Sequence, residues 1–269
     1  MIHLTKTRLE IGLAHPVKIL HITDVHLTYA DETDIPRHQA LMKKRFDVFQ
    51  KEAGFPPFTP KEYFEQAIAL AKKEDALLIC TGDAIDIHTN GNLTVFKELI
   101  RGEDMMFSPG GHEHQFRCVR TMEEPYPYWE TIRPQLESEF SAFDLYLESR
   151  VIGGLNIITA DNSMDYFAKR TVDAFKKELE KGLPTIVFFH DYIWDEFLNK
   201  TEPYHPNVRM TKEDYAVSHE MIDLLLHHPL VITTVSGHGH RDEECVIAGK
   251  THYMTDGLFK GKARLIEIV

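Results

Sequence analysis

The chain has 269 residues, 43% of them hydrophobic and 27% charged, an ordinary balance for a globular protein long enough to bury a large core. Its formal net charge of -12 disfavours nucleic acid, whose backbone it repels, whereas a small phosphorylated molecule fits wherever bound divalent cations reverse the local field. Cys80, Cys118 and Cys245 form no CxxC pair, no apolar run approaches the roughly 20 residues of a membrane span, and no signal segment leads the chain, so a reduced, cytoplasmic setting without a membrane is expected.

In chain order, an apolar strand over 17–22 runs into Asp24-Val-His26. The interval 29–60 exceeds a minimal connection, and its 41–50 portion has a helical rhythm. Thr59-Pro-Lys-Glu62 has the form of a capping box and opens a helix whose Phe64, Ile68 and Ala71 share a face and which ends near Lys72 or Lys73. A strand over 76–81 delivers Gly82-Asp-Ala-Ile-Asp86, a helix over 92–100 stops before Gly102, and a short strand over 105–108 leads to Gly110-Gly-His-Glu113. The interval 123–148 starts with a dense run of prolines and aromatics, which reads as a packed surface loop or a pocket wall. A strand over 155–160, a helix over 166–181 and a strand over 185–189 then bring in His190-Asp191. A helix capped at Thr211 runs to Pro229, a strand over 230–235 carries Gly237-His-Gly-His240, and 243–269 reads as closing strands around glycine turns.

All five polar blocks stand at the carboxyl end of a predicted strand, where neighbouring strand ends collect distant residues on one rim. A layered α/β sandwich with mixed sheets accommodates this order. We expect a single domain over 1–269 with insertions at 29–60 and 123–148.

The residue types point to a pair of metal ions. Asp24 and His26, two apart, would point the same way from an extended segment and grip one ion. Asp83 can bridge two ions if one oxygen faces each; His238 and His240 can turn one to each ion, and His190 adds another nitrogen. This oxygen and nitrogen set suits Mn, Fe or Zn better than Mg or Ca. A metal pair activates water and holds a phosphate, so hydrolysis of a phosphoester uses the set most directly. His112 carries no metal in this reading and can contact phosphate or protonate a leaving group, while Asp86 and Asp191 read as carboxylates that orient a histidine ligand through its other ring nitrogen. His88 and Asn162 are weaker candidates for substrate contact; His114, His205, His219, His227 and His228 read as surface or packing residues.

As an ordered set, DxH, GDxxD, GGHE, a lone histidine and GHxH resemble the calcineurin-like metallophosphoesterase superfamily over residues 24–240. The resemblance implies a four-layer α/β/β/α sandwich with two mixed β-sheets and two divalent metal ions at the strand ends. It makes Asp24, His26, Asp83 and His240 the ligands of the first metal, Asp83, His190 and His238 those of the second, and His112 the phosphate-contacting proton donor. It departs from the pattern at Gly111, where the superfamily offers an asparagine to the second metal. Three accounts stay open: water fills the place and the second site is weakened; the glycine is an engineered inactivation; or His114 or Glu113 moves in. The implied activity is hydrolysis of a phosphomonoester or phosphodiester in a small phosphorylated or nucleotide-like substrate. The rival is a catalytically impaired binding or scaffold module.

Overall fold

The alternation of apolar residues along each strand sorts their side chains onto two faces, and those faces build three separate cores. In the computed structural model, which describes residues 1–114, 129–163, 166–193 and 212–269, the first sheet contains β1 (His3–Leu9), β2 (Val17–Ile22), β3 (Leu77–Thr81), β4 (Met105–Ser108) and β11 (Lys262–Ile268) in the order β1-β11-β2-β3-β4. The second contains β5 (Leu147–Ile152), β6 (Leu155–Ala160), β7 (Thr185–Phe188), β8 (Val231–Ser236), β9 (Glu243–Ile247) and β10 (Lys250–Met254) in the order β5-β6-β7-β8-β10-β9. Each sheet mixes parallel and antiparallel pairs.

Ile19, Ile79, Met106 and Ile266 of the first sheet meet Ile157, Ile186, Phe188 and Val235 of the second in a core between the sheets. Their chain neighbours turn the other way: Leu20, Leu78 and Phe107 pack outward on Phe64, Ala67, Phe96 and Phe140, and Ile158 and Val187 pack outward on Val172, Phe175, Met221 and Leu225. Helices α2 (Pro60–Glu74), α3 (Asn90–Leu99) and α4 (Trp129–Glu139) thus flank one sheet, and α5 (Lys169–Leu179) and α6 (Lys212–His227) the other. The result is the expected four-layer sandwich. Each fully buried apolar side chain contributes about 1.5–3 kcal/mol.

The Thr59–Glu62 capping box is present, and α2 runs to Glu74 before Asp75 turns left-handed at φ 53°. Helix α3 starts at Asn90 because the Thr89 hydroxyl accepts from the Asn92 N–H, earlier than the pattern of apolar residues suggests. Two strands, β1 and β5, were not expected; both are sheet edges with largely open faces, so neither carries a buried-strand signature. The interval 29–60 holds α1 (Pro36–Glu52). The start of the 123–148 interval, the Thr211 cap, Cys118 and His205 lie outside the described residues. Cys80 is a buried free thiol, and among the described residues no helix is long and apolar enough to cross a membrane.

What matters for the site is register. In the parallel run β2-β3-β4, Ile22 lies opposite Cys80 and Thr81 opposite Ser108, so three polar blocks leave one edge level with one another. In β7 and β8, Phe188 lies opposite Val235, and the other two blocks leave together.

Candidate metal centre

The loops that leave these strand ends are not extended. Asp24, His26, Asp83, His238 and His240 all have positive φ, between 47° and 67°. Among the described residues only three other non-glycine positions do. Left-handed backbone is uncommon outside glycine, though Asp and His adopt it more readily than most, and it collects at functional sites. The extended geometry expected for Asp24 and His26 is therefore corrected: left-handed turns, not the strand period, aim them together. The Asp24 N–H donates to Gly82 O at 3.1 Å and the His26 N–H to Asp83 O at 2.8 Å, which binds the first two loops side by side. Glu113 ties in the third, accepting from the N–H groups of Asp83, Ala84, Ile85 and Gly110 at 2.6–3.2 Å.

Six side chains converge in two adjoining groups. In the first, Asp24 Oδ1 lies 3.1 Å from His240 Nε2, which lies 3.3 Å from His26 Nε2. In the second, His190 Nε2 lies 3.2 Å from both Asp83 Oδ2 and His238 Nδ1. Asp83 Oδ1 accepts from the His112 N–H at 2.9 Å, so Oδ2 alone faces both groups, 3.9 Å from His26 Nε2. Asp83 would therefore offer ions in the two groups this one oxygen, not one oxygen for each as expected. Imidazole nitrogen and carboxylate oxygen turned toward common points are the donor types that divalent ions take, so the residues present fit divalent metal ions. His238, His240 and His112 keep 38%, 24% and 17% of their side chains exposed while Asp24, His26, Asp83 and His190 are buried; access is from that side.

The surrounding residues fix the rings. Thr81 O accepts from His190 Nδ1–H at 2.7 Å, leaving Nε2 for the centre. Asp86 receives both arms of the Arg45 guanidinium at 2.7 Å, and its Oδ1 stands 3.5 Å from His26 Nδ1 and 3.1 Å from His112 Nδ1. The Asp86 carbonyl also accepts from His112 Nδ1 at 2.7 Å. Glu52 accepts from His240 Nδ1 at 2.9 Å, and Phe49 stacks on the His26 ring with centroids 4.2 Å apart. Arg45, Phe49 and Glu52 were not anticipated. Their i, i+4, i+7 spacing on α1 is the signal that could have found them.

The remaining candidates divide. Asn162 is fully buried; its Oδ1 accepts from the N–H groups of His190 and Asp191, and its Nδ2 donates to Asp191 O. It clamps the loop that carries His190, which replaces the expected substrate contact. His88 pairs with Glu139 of α4. Gly111 is buried beside His112 and brings no side chain. Glu113 is committed to backbone, and buried His114 is bonded to Ser163 at 2.6 Å, so neither has moved into the place opposite Gly111. Asp191 is buried with its carboxylate 3.3 Å from His238 Nδ1.

Without metal, the centre shares protons among its own groups. Burial alone would raise the Asp24 and Asp83 carboxyls, but the hydrogen bond from His240 to Asp24 and the charge of His190 beside Asp83 hold both below their ordinary range. Burial opposes a charge on His190 and His240, yet Asp83 lifts the first to about 10 and Asp24 with Glu52 lifts the second to about 9. Burial lowers His26, against the pull of Asp86. Burial and the Asp83 charge push Glu113 up to about 7, with its N–H donors acting against that rise.

Sequence comparison agrees with this geometry. The model for calcineurin-like phosphoesterases matches residues 17–242, and the chain belongs to that family. No curated protein matches it. Among solved structures it is similar to a putative 5'-nucleotidase from Staphylococcus aureus at 13% identity, covering 91% of this chain and 49% of that one, with a TM-score of 0.49. It is also similar to a phosphopantetheinyl hydrolase from Mycobacterium tuberculosis at 13% identity, covering 90% of both chains, TM-score 0.43. A third is an archaeal phosphodiesterase at 11% identity, covering 90% and 84%, TM-score 0.37. The chain spans about half the length of the first of these.

Proposed function

We propose that this chain is a dinuclear metal-dependent phosphoesterase acting on a phosphomonoester or phosphodiester in a small soluble molecule. The observation that carries the reading is the convergence of Asp24, His26 and His240 with Asp83, His190 and His238, joined by one oxygen of Asp83 that faces both groups. Two divalent ions held there, Mn, Fe or Zn by the donor types, supply a water of lowered pKa and a charge that holds the phosphate.

The chain's own residues do the rest. Asp24 and Asp83 bring negative charge to the strand ends, Glu52 and Thr81 O fix the rings of His240 and His190 from behind, and the Asp86 carboxylate stands 3.5 Å from His26 Nδ1, behind that ring. His112 is the proton donor in this reading. A carbonyl only accepts, so the contact with Asp86 O puts a hydrogen on Nδ1 of His112 and leaves Nε2, 3.9 Å from Asp83 Oδ2, to take and give the mobile proton. The net charge of -12 favours a small substrate over a polynucleotide.

A panel of p-nitrophenyl phosphate and bis-p-nitrophenyl phosphate with added Mn tests this directly. Turnover of either supports hydrolysis and separates monoester from diester. No turnover of either by protein with metal verified as bound refutes it and favours a binding or scaffold module.

A further inference from the structure

Asp191 follows His190 in the loop that leaves β7, and its side chain is buried. Neither carboxylate oxygen has a hydrogen-bond partner. A buried carboxylate without donors costs several kcal/mol, and such a group persists where a cation compensates it. Among the described residues, the groups paired with it are two histidine nitrogens of the second group.

Which nitrogens these are decides the role. Asp191 Oδ1 lies 3.3 Å from His238 Nδ1 and 4.0 Å from His190 Nε2. Those same two atoms face each other at 3.2 Å, and His190 Nε2 also faces Asp83 Oδ2 at 3.2 Å. They are the nitrogens turned toward the metal position. The opposite nitrogen of His190, Nδ1, is already taken by Thr81 O. A carboxylate that orients a ligand histidine stands behind the ring, at its other nitrogen; Asp191 stands in front. Its aim is fixed, because Asn162 grips the loop through the N–H groups of His190 and Asp191 and the carbonyl of Asp191.

We infer that Asp191 is itself a ligand of the second metal ion and fills the coordination place that Gly111 leaves without a side chain. The spacing suits it. Ligand atoms about 2.0–2.2 Å from one ion lie roughly 3–4 Å from each other at adjacent positions, as Asp191 Oδ1, His190 Nε2 and His238 Nδ1 do. The second site then gains an anionic oxygen in place of a neutral amide, which binds a divalent ion more tightly. It is not the weakened site that Gly111 alone suggests.

This inference rests on the two-metal reading, and metal binding tests it apart from activity. Protein stripped of metal and titrated with Mn is expected to bind two ions per chain. Asp191→Ala should keep the first affinity and weaken the second by more than the roughly 10–100-fold that loss of an outer partner costs. Adding Gly111→Asn to Asp191→Ala should restore the second ion, since an amide there supplies the missing donor; a residue that only positioned His238 would not be replaced in this way. Independently of any variant, a crystal structure of zinc-loaded protein should put Asp191 Oδ1 about 2.0–2.2 Å from the second ion. Two ions with unchanged affinities in Asp191→Ala, or a Zn-loaded structure with the Asp191 oxygens beyond about 3 Å, overturn the assignment alone. A wild-type chain that binds at most one ion overturns it together with the two-metal reading.

Discussion

Gly82 is where the second and third site loops touch, and a single methyl group there tests how tightly they are built. Its φ is +76°, and a Cβ on it would lie 2.2 Å from Gly110 N, 2.5 Å from Gly110 Cα and 2.6 Å from Pro109 C. Gly102 supplies the control, with φ +73° and nothing within 4 Å of its Cβ position. Left-handed backbone costs an L-residue about 1–2 kcal/mol, and an extra methyl in a packed site about 1–3 kcal/mol. Gly102→Ala is therefore expected to lose about 1–2 kcal/mol and Gly82→Ala about 2–5 kcal/mol, the excess being steric. Urea unfolding in EDTA, followed by far-UV circular dichroism, reads both without a contribution from metal binding. Gly82→Ala should also lower metal stoichiometry, because Asp83 rides on the displaced turn. Equal losses for the two variants, within about 0.5 kcal/mol, would refute the close approach of the two loops.

Replacing His112 with Asn should leave both metal ions bound and slow turnover, most for esters with poor leaving groups; a uniform loss across a leaving-group series would remove its role as proton donor. His21 bonds Thr255 and Thr81 through its two ring nitrogens and is fully buried, and burial, helped by the Arg264 charge, lowers its pKa to about 3. Because the folded value lies below the unfolded 6.5, the unfolded chain takes up the proton first, so stability is kept above pH 6.5 and lost as pH falls toward 3. Measured in EDTA between pH 6.5 and 4.5, His21→Gln should lose less stability than wild type, by about 1.4 kcal/mol per pH unit, and parallel profiles would contradict this.

The features that were legible in the sequence share a cause. An interior strand is apolar on both faces, so β2, β3, β7 and β8 stand out, and each ends in a polar block because the rim is where burial stops. The edge strands β1 and β5 lack that contrast: in β1 only Thr7 is buried and in β5 only Leu147, so an alternation of apolar and polar residues barely registers. The carboxylates that hold the site rings were legible at Asp86, inside a block, but not at Glu52, which reaches His240 from 188 positions away. Glu113 looked like a ligand type and is a backbone clamp; nothing in Gly-Gly-His-Glu says that four N–H groups will point at it. Asn162 is the same case, a polar residue after a strand whose partners are set by how two distant loops meet.

The left-handed residues connect these observations. Five of the six convergent side chains sit on left-handed backbone, a region that Asp and His enter more readily than most residues but that is strained without local support. Such strain persists only where the surroundings over-determine it. Here the determinants are on neighbouring loops: Gly82 O and Asp83 O hold the backbone of Asp24 and His26, Asp24 Oδ2 receives the His238 N–H at 2.9 Å, and Asp83 Oδ1 receives that of His112. Each candidate carboxylate thus uses one oxygen to fix a neighbouring loop and keeps the other for the centre. Local sequence accounts for which residues arrive at the rim, but their aim is a property of the loops taken together. That division of labour within Asp24 and Asp83 makes the isolated carboxylate of Asp191 conspicuous, since neither of its oxygens is spent on backbone and both remain for a cation.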